Sequence, residues 1–185
     1  MKAWKTVTAL LLLVLLLAEG IPEPAMAAEE REEPLFGEFE SVELVSGEPV
    51  DQTVFEEYTL IMVNIWGTFC SPCIGEMPDL AKLGRDYADK GFAVIGIPQD
   101  ITNKNGKIKK NRMEDALLIV EQTEADYLHI VPTKALYEAK LRLCQALPET
   151  VFLNAEGVQI GESYLGAKSY DEWSEIIEEL LEGLA

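Results

Sequence analysis

Cys70 and Cys73 are separated by two residues in the segment Trp66-Gly67-Thr68-Phe69-Cys70-Ser71-Pro72-Cys73, and two thiols at that spacing have few chemical uses. They can form half of a metal site, or they can cycle between a dithiol and a disulfide. A structural zinc site takes four ligands, and outside this pair the sequence offers only Cys144 and His129. Cu(I) is less demanding and accepts soft sulfur donors, so Cys70, Cys73 and Met77 form a candidate carrier set. The dithiol use depends on placement. A first thiol at a helix N-terminus faces unpaired N–H groups and the positive end of the helix dipole, which stabilise its thiolate. In that setting Cys70 is expected to be exposed and to attack a partner disulfide. Cys73, one turn further on and on the apolar side, then resolves the mixed disulfide, with no bound cofactor and no metal.

The flanking elements must supply that placement. Leu60 to Trp66 is a short apolar run interrupted only by Asn64, which suits a strand buried on both faces in the middle of a sheet. Pro72 is expected to open a helix, because proline at the first helical position gives up an N–H that has no partner there. Cys73, Met77, Leu80, Ala81, Gly84 and Ala88 recur at three- and four-residue steps along one face of it, and Pro78 inside the pattern should kink it. Phe92 to Ile97 is a second buried-strand candidate. Residues 60 to 97 therefore read as a strand–helix–strand unit long enough for a right-handed parallel crossover.

Downstream, Gln99 to Arg112 holds Lys104, Lys107, Lys109, Lys110 and Arg112 among Asn and Gly, and is expected to be a solvated surface loop. Met113 to Glu124 has a helical pattern, Tyr127 to Val131 suits a strand, and Lys134 to Leu143 is helix-like. Pro148 precedes a strand over Glu149 to Leu153, a turn at Asn154 to Gly157, and a strand from Val158, which together read as a hairpin. Ser169 with Glu172 forms a capping box. Trp173, Ile176, Ile177, Leu180, Leu181 and Leu184 then fall on one stripe of a final amphipathic helix.

The 185 residues, 48% hydrophobic and 26% charged, suffice for one compact α/β domain. The formal net charge of −18 repels polyanions and argues against nucleic acid as a partner. Lys2 and Lys5, the apolar run Val7 to Ala18 and the small-x-small triplet Ala25-Met26-Ala27 read as an export signal cut after Ala27. The run is shorter than the ~20 apolar residues of a spanning helix, which weighs against a retained anchor. No cysteine near the cut is placed for lipid attachment. Residues 28 to 38 are expected to be a mobile lead-in, with the domain over 39 to 185. A monomer outside the cytoplasm, in the periplasm or at the cell surface, is expected.

The segment VNIWGTFCSPCIGEMPDL resembles the active-site region of the TlpA/ResA-like branch of the thioredoxin superfamily, and PETVFLNAEG resembles that branch's proline–threonine strand and turn. The resemblance implies a thioredoxin-like fold, a central mixed β-sheet flanked by helices. It implies thiol–disulfide exchange with disulfide-containing exported proteins, and electrons supplied by a membrane thiol–disulfide donor. Pro148 matches the cis-proline that faces the reactive disulfide, and Glu76 the branch's active-site glutamate. Three residues past Cys73 on a helix, Glu76 is within reach of proton exchange, although the dipole alone also favours an acid early in a helix. Asn64 stands where ordinary thioredoxins carry a buried aspartate, which fits this branch and leaves Glu76 for proton traffic.

Cys144 is outside both motifs. It is expected to be a buried free cysteine, with a third redox thiol near the Pro148 loop as the sharper alternative. His129, in an apolar context, is expected to be a core residue. A peroxiredoxin-type peroxidase shares the overall fold, but it needs a proline and a threonine framing its cysteine and a later arginine. Thr68 lies two residues before Cys70 and no proline precedes it in the strand.

Overall fold

The computed structural model describes residues 33–184. The expected export signal, its cut site and the first part of the lead-in lie outside the described residues. The described chain begins with a small antiparallel hairpin of β1 (Glu40–Val42) and β2 (Pro49–Asp51), followed by a 3-10 turn over Gln52–Glu57. Then come β3 (Leu60–Trp66), α1 (Ser71–Asp86), β4 (Phe92–Pro98), α2 (Lys110–Gln122), β5 (Leu128–His129) and α3 (Lys134–Ala139). The chain closes with β6 (Glu149–Leu153), β7 (Gln159–Leu165) and α4 (Tyr170–Leu184).

The main sheet has the order β5-β4-β3-β6-β7, with β4 parallel to both β3 and β5, and β6 antiparallel to β3 and β7. This is the expected central mixed sheet flanked by helices. All seven residues of β3 are buried, as a strand in mid-sheet must be. Because side chains alternate across a strand, Ile61, Val63 and Ile65 pack with Ile95, Ile97, Val151 and Leu153 on one face. Leu60 and Met62 pack on the other with Leu80 and Leu83 of α1 and Trp173 and Ile177 of α4. Asn64 is in phase with this second set, so the one polar residue of β3 points towards α1.

Several expected boundaries move. Packing begins before Phe39: the Leu35 N–H donates to the Gly157 carbonyl at 2.8 Å, and Phe36 is buried with its ring 6.2 Å from that of Phe55. The end of the expected lead-in is therefore part of the domain, because two apolar residues there find a core to cover. Helix α1 runs through Pro78, whose ring lies on the exposed side, and stops at Asp86; Tyr87 takes the buried position after it, and Ala88 is exposed. The strand expected over Tyr127–Val131 shrinks to two residues, because beyond His129 the chain turns to the hairpin. The Leu44 N–H donates to the His129 carbonyl at 2.7 Å and the Val131 N–H to the Val42 carbonyl at 3.1 Å. Helix α3 ends at Ala139, followed by a 3-10 turn over Leu141–Leu143. The basic segment is a closed turn bridged between Thr102 and Ile108, and its last cations, Lys110 and Arg112, lie in α2.

The capping box forms as read from sequence. The Ser169 N–H donates to Glu172 Oε2 at 2.8 Å, and the Glu172 N–H donates back to Ser169 Oγ at 3.4 Å.

Candidate active site

Cys70 is the residue that caps α1, with extended backbone angles, and its Sγ accepts the N–H of Cys73 at 3.3 Å. Ser71 opens the helix and Pro72 is second, inside the first turn, where a missing N–H costs nothing. A thiolate at Cys70 would thus meet both a donor and the positive end of a 16-residue helix. Cys70 and Cys73 are joined as a disulfide with a Cα–Cα distance of 5.3 Å. Cys73 is 0% exposed, on the apolar side as expected; Cys70 is 6% exposed, less open than expected, because the disulfide tucks its sulfur under the rim while the neighbouring Phe69 is 65% exposed. Met77, the third soft donor considered, is buried, and its sulfur accepts the Thr123 hydroxyl at 3.5 Å.

The rim opens into a cleft of about 470 Å³ lined by Phe69 to Pro72, by Gln99, and by Cys144 to Leu147. The Leu147–Pro148 peptide bond is cis, as the resemblance implied. The two walls meet closely at Gly67, where an added Cβ would lie 3.0 Å from Leu147 Cδ1 and 3.1 Å from Phe69 Cε1. Glycine there lets the end of β3 and the proline loop approach each other.

Behind the disulfide lies a buried polar cluster. Asn64 Nδ2 donates to Glu76 Oε1 at 2.9 Å and to Thr150 Oγ1 at 3.1 Å. Glu76 Oε2 accepts the Lys168 N–H at 3.2 Å and the Trp173 indole N–H at 3.4 Å. Glu76 is 3% exposed, and burial raises its pKa above the ordinary 4.5 even though these donors pull the other way. It sits beyond the first turn of α1, turned inward to Asn64, so the helix dipole alone does not account for it.

A second buried carboxylate follows Pro148. Glu149 pairs with Lys140, both nearly inaccessible. Cys144 lies beside this pair, half-buried, with its Sγ donating to the Ala146 carbonyl at 3.2 Å. This corrects the expectation of a core cysteine: the 3-10 turn and proline loop carry it to the cleft wall. Burial, with the Glu149 carboxylate adding to it, pushes the Cys144 thiol up to about 12. His129 is a core residue: its Nε2 faces the Ala125 carbonyl at 3.2 Å, and burial lowers its pKa to about 4. Gly96 makes room for the ring, since a Cβ there would lie 2.2 Å from Nδ1.

A third group braces the approach to Cys70. Asp100 accepts the Thr68 N–H at 3.0 Å and the Thr68 hydroxyl at 2.6 Å, and Arg112 NH1 donates to Thr68 Oγ1 at 3.1 Å. Neither this brace, nor Lys140 with Glu149, nor the Trp173 indole was read from sequence. The one available signal was Trp173 itself, since a buried indole N–H needs an acceptor.

The family model described as Redoxin matches residues 37–158. The thiol-disulfide oxidoreductase ResA of Oceanobacillus iheyensis is 30% identical over 131 residues, covering 67% of this chain and 60% of that protein. The thioredoxin-like protein YneN of Bacillus subtilis is 33% identical over 88 residues, covering 48% of this chain and 45% of its own. The chain thus spans between about half and three-fifths of these relatives' length. Among solved structures, a thioredoxin-family thiol:disulfide interchange protein from Chlorobium tepidum superposes with a TM-score of 0.61 at 19% identity, over 80% of this chain and 94% of that one. A secreted Mycobacterium tuberculosis disulfide oxidoreductase homologous to Escherichia coli DsbE gives 0.58 at 19% identity, over 76% and 95%. These likenesses show the thioredoxin-like fold. With the Redoxin model matched across well over half of its length, the chain belongs to the Redoxin family.

Proposed function

We propose that the protein is an extracytoplasmic thiol–disulfide oxidoreductase that reduces or exchanges disulfides of exported proteins. The observation that carries this is the Cys70–Cys73 disulfide with Cys70 at the N-cap of α1, opening onto a cleft walled by the cis-Pro148 loop. In the reduced protein the Cys70 thiolate attacks a partner disulfide; an S–S bond forms to Cys70 and the partner's second sulfur leaves. Cys73 then attacks Cys70, the partner departs with both thiols reduced, and the Cys70–Cys73 disulfide is restored. Glu76 takes up and returns the proton as Cys73 ionises, a role that a buried carboxylate with a raised pKa suits. Regeneration requires an external dithiol, which the resemblance assigns to a membrane thiol–disulfide donor.

The place outside the cytoplasm is supported by the charge and apolar pattern of residues 2 to 18, the Ala25-Met26-Ala27 triplet, and the secreted character of the mycobacterial neighbour. Among the described residues no helix is long and apolar enough to cross a membrane.

One contact favours a peroxidase instead, the Arg112 donation to Thr68 two residues before Cys70. Against it, the Thr68 hydroxyl is donated to Asp100. The deciding experiment expresses the full chain with Cys73→Ser in its native host. Exported proteins joined to Cys70 through reducible bonds are expected, and absent when Cys70→Ser is added. Failure to trap any partner, together with wild-type protein that consumes peroxide but reduces no disulfide, overturns the proposal.

A further inference from the structure

The cations of this chain are unevenly placed. Residues 99–112 hold five of its fifteen basic residues and one of its thirty-three acidic ones. A lysine-rich loop is usually just solvated, but two features set this one apart. It is structured: Asn103 Oδ1 accepts the N–H groups of Asn105 and Lys107, at 2.9 and 3.1 Å, and the Lys109 N–H donates to the Ile101 carbonyl at 2.8 Å. It is also built into the reaction centre. Gln99 lines the cleft, Asp100 clamps Thr68 two residues before Cys70, Arg112 bonds the same hydroxyl, and Lys109 Nζ donates to the Asp100 carbonyl at 3.1 Å.

The side chains of Lys104, Lys107 and Lys109 are exposed and have no carboxylate partner among the described residues, unlike Lys82, Lys110, Lys134 and Lys140. Ile108 within the turn is 52% exposed, and Phe69, next to the clamped Thr68, is 65% exposed. At physiological ionic strength fields decay within about 8 Å, so a partner at the cleft feels this local positive rim rather than the distant net charge of −18.

From this arrangement we propose that the 99–112 turn is a docking surface for an acidic polypeptide segment of the disulfide-bearing partner, flanking the cysteine that enters the cleft. The proposal rests on the oxidoreductase function above and adds the chemistry of the partner. Neither nucleic acid nor a lipid surface carries a disulfide to present to the cleft that adjoins the loop, whereas a polypeptide does.

The test measures second-order rates for the pre-reduced full-length protein against three peptides with the same intramolecular disulfide, flanked by Asp and Glu, by Lys, or by neutral residues. At low salt the acidic peptide is expected to react about tenfold or more faster than the basic one, with the preference fading as salt is added. The variant K104E/K107E/K110E, which spares the Thr68 brace, should lose or invert the preference and keep the neutral-peptide rate. The control K82E/R85E/K90E changes net charge equally at the far end of α1 and should keep the preference.

Equal rates on the three peptides, or a preference that survives the loop variant, overturn the docking surface while leaving disulfide reduction intact. Reduction of no peptide, the neutral one included, overturns both proposals. Loop-dependent retention on vesicles containing one-third anionic lipid, with no peptide preference, would overturn it in favour of a lipid surface.

Discussion

Two carboxylates are buried near the disulfide, and they are held in opposite ways. Glu149, next to cis-Pro148, faces the ammonium of Lys140, so its negative charge has a full counter-charge within the protein. Glu76, behind Cys73 on α1, faces dipoles only: the amide of Asn64, the Lys168 N–H and the Trp173 indole. Neutral donors offset part of the desolvation of a carboxylate, and its pKa rises. A cation leaves an ion pair whose disruption is costly. The same residue type is thus ion-paired under one wall of the cleft and, behind the other, carries a raised pKa that suits the proton role proposed for Glu76.

The largest effect is expected at Lys140. Lys140→Ala should leave Glu149 as an uncompensated buried charge and cost about 3–5 kcal/mol in denaturant unfolding. The double change Lys140→Met with Glu149→Gln should recover most of that. A loss below about 1 kcal/mol for the single variant would mean that water reaches the pair and that it does not pin the wall.

Glu76→Gln should do the reverse. The disulfide exchange rate should fall by about a hundredfold, the low end of general acid–base contributions, and the limb of the pH–rate profile that reports the raised pKa should vanish. An unchanged profile with a slower rate would reduce Glu76 to a packing role.

A smaller effect separates Glu76 from His129, a buried titratable group on the same side of the sheet. The Glu76 pKa is raised in the folded state, so the fold binds its proton more tightly than the unfolded chain does. Stability should decline as pH rises from about 4.5 through the raised value, and Glu76→Gln should remove that decline. His129 has the opposite sign. Its folded pKa is lowered to about 4 from 6.5, so its stabilisation is complete above 6.5 and is lost as pH falls towards 4. The two contributions oppose each other in an overlapping window. Thermal melts of wild type, Glu76→Gln and His129→Asn across pH 4 to 7 should resolve them, with slope changes of opposite sign in the two variants.

The smallest effect is expected at Cys144. With its thiol held at about 12, alkylation at pH 8 should be at least a hundredfold slower than for an ordinary cysteine, and Cys144→Ala should leave the exchange rate within about twofold. Rapid labelling of Cys144 in the native disulfide form would instead return it to the redox candidates.

Much of this molecule is legible along the chain. The buried strand Leu60–Trp66, the proline-started helix, the second strand, the β6–β7 hairpin and the Ser169–Glu172 cap are each set by a local rule, either hydrophobic period or capping chemistry, and each formed where the pattern places it. Boundaries failed where a distant partner competes for the backbone. The strand after Tyr127 is cut short because Leu44 and Val131 bond across to its end and to the first hairpin. The lead-in joins the domain because Phe36 meets Phe55.

In the site, the cysteine pair, Glu76 and Pro148 were legible as residues, because spacing and motif bring them to notice without any fold. Their environments were not. Whether Glu76 faces a cation or a dipole depends on Asn64, 12 residues earlier, and on Lys168 and Trp173, more than 90 residues later. That Lys140 is a buried counter-ion, or that Cys144 lines the cleft, depends on how a 3-10 turn and the proline loop fold back over the sheet. Which groups are candidates to react follows from residue type and local spacing along the chain. How each is poised follows from the fold, because burial, charge pairing and hydrogen-bond donors come from segments far apart in the chain.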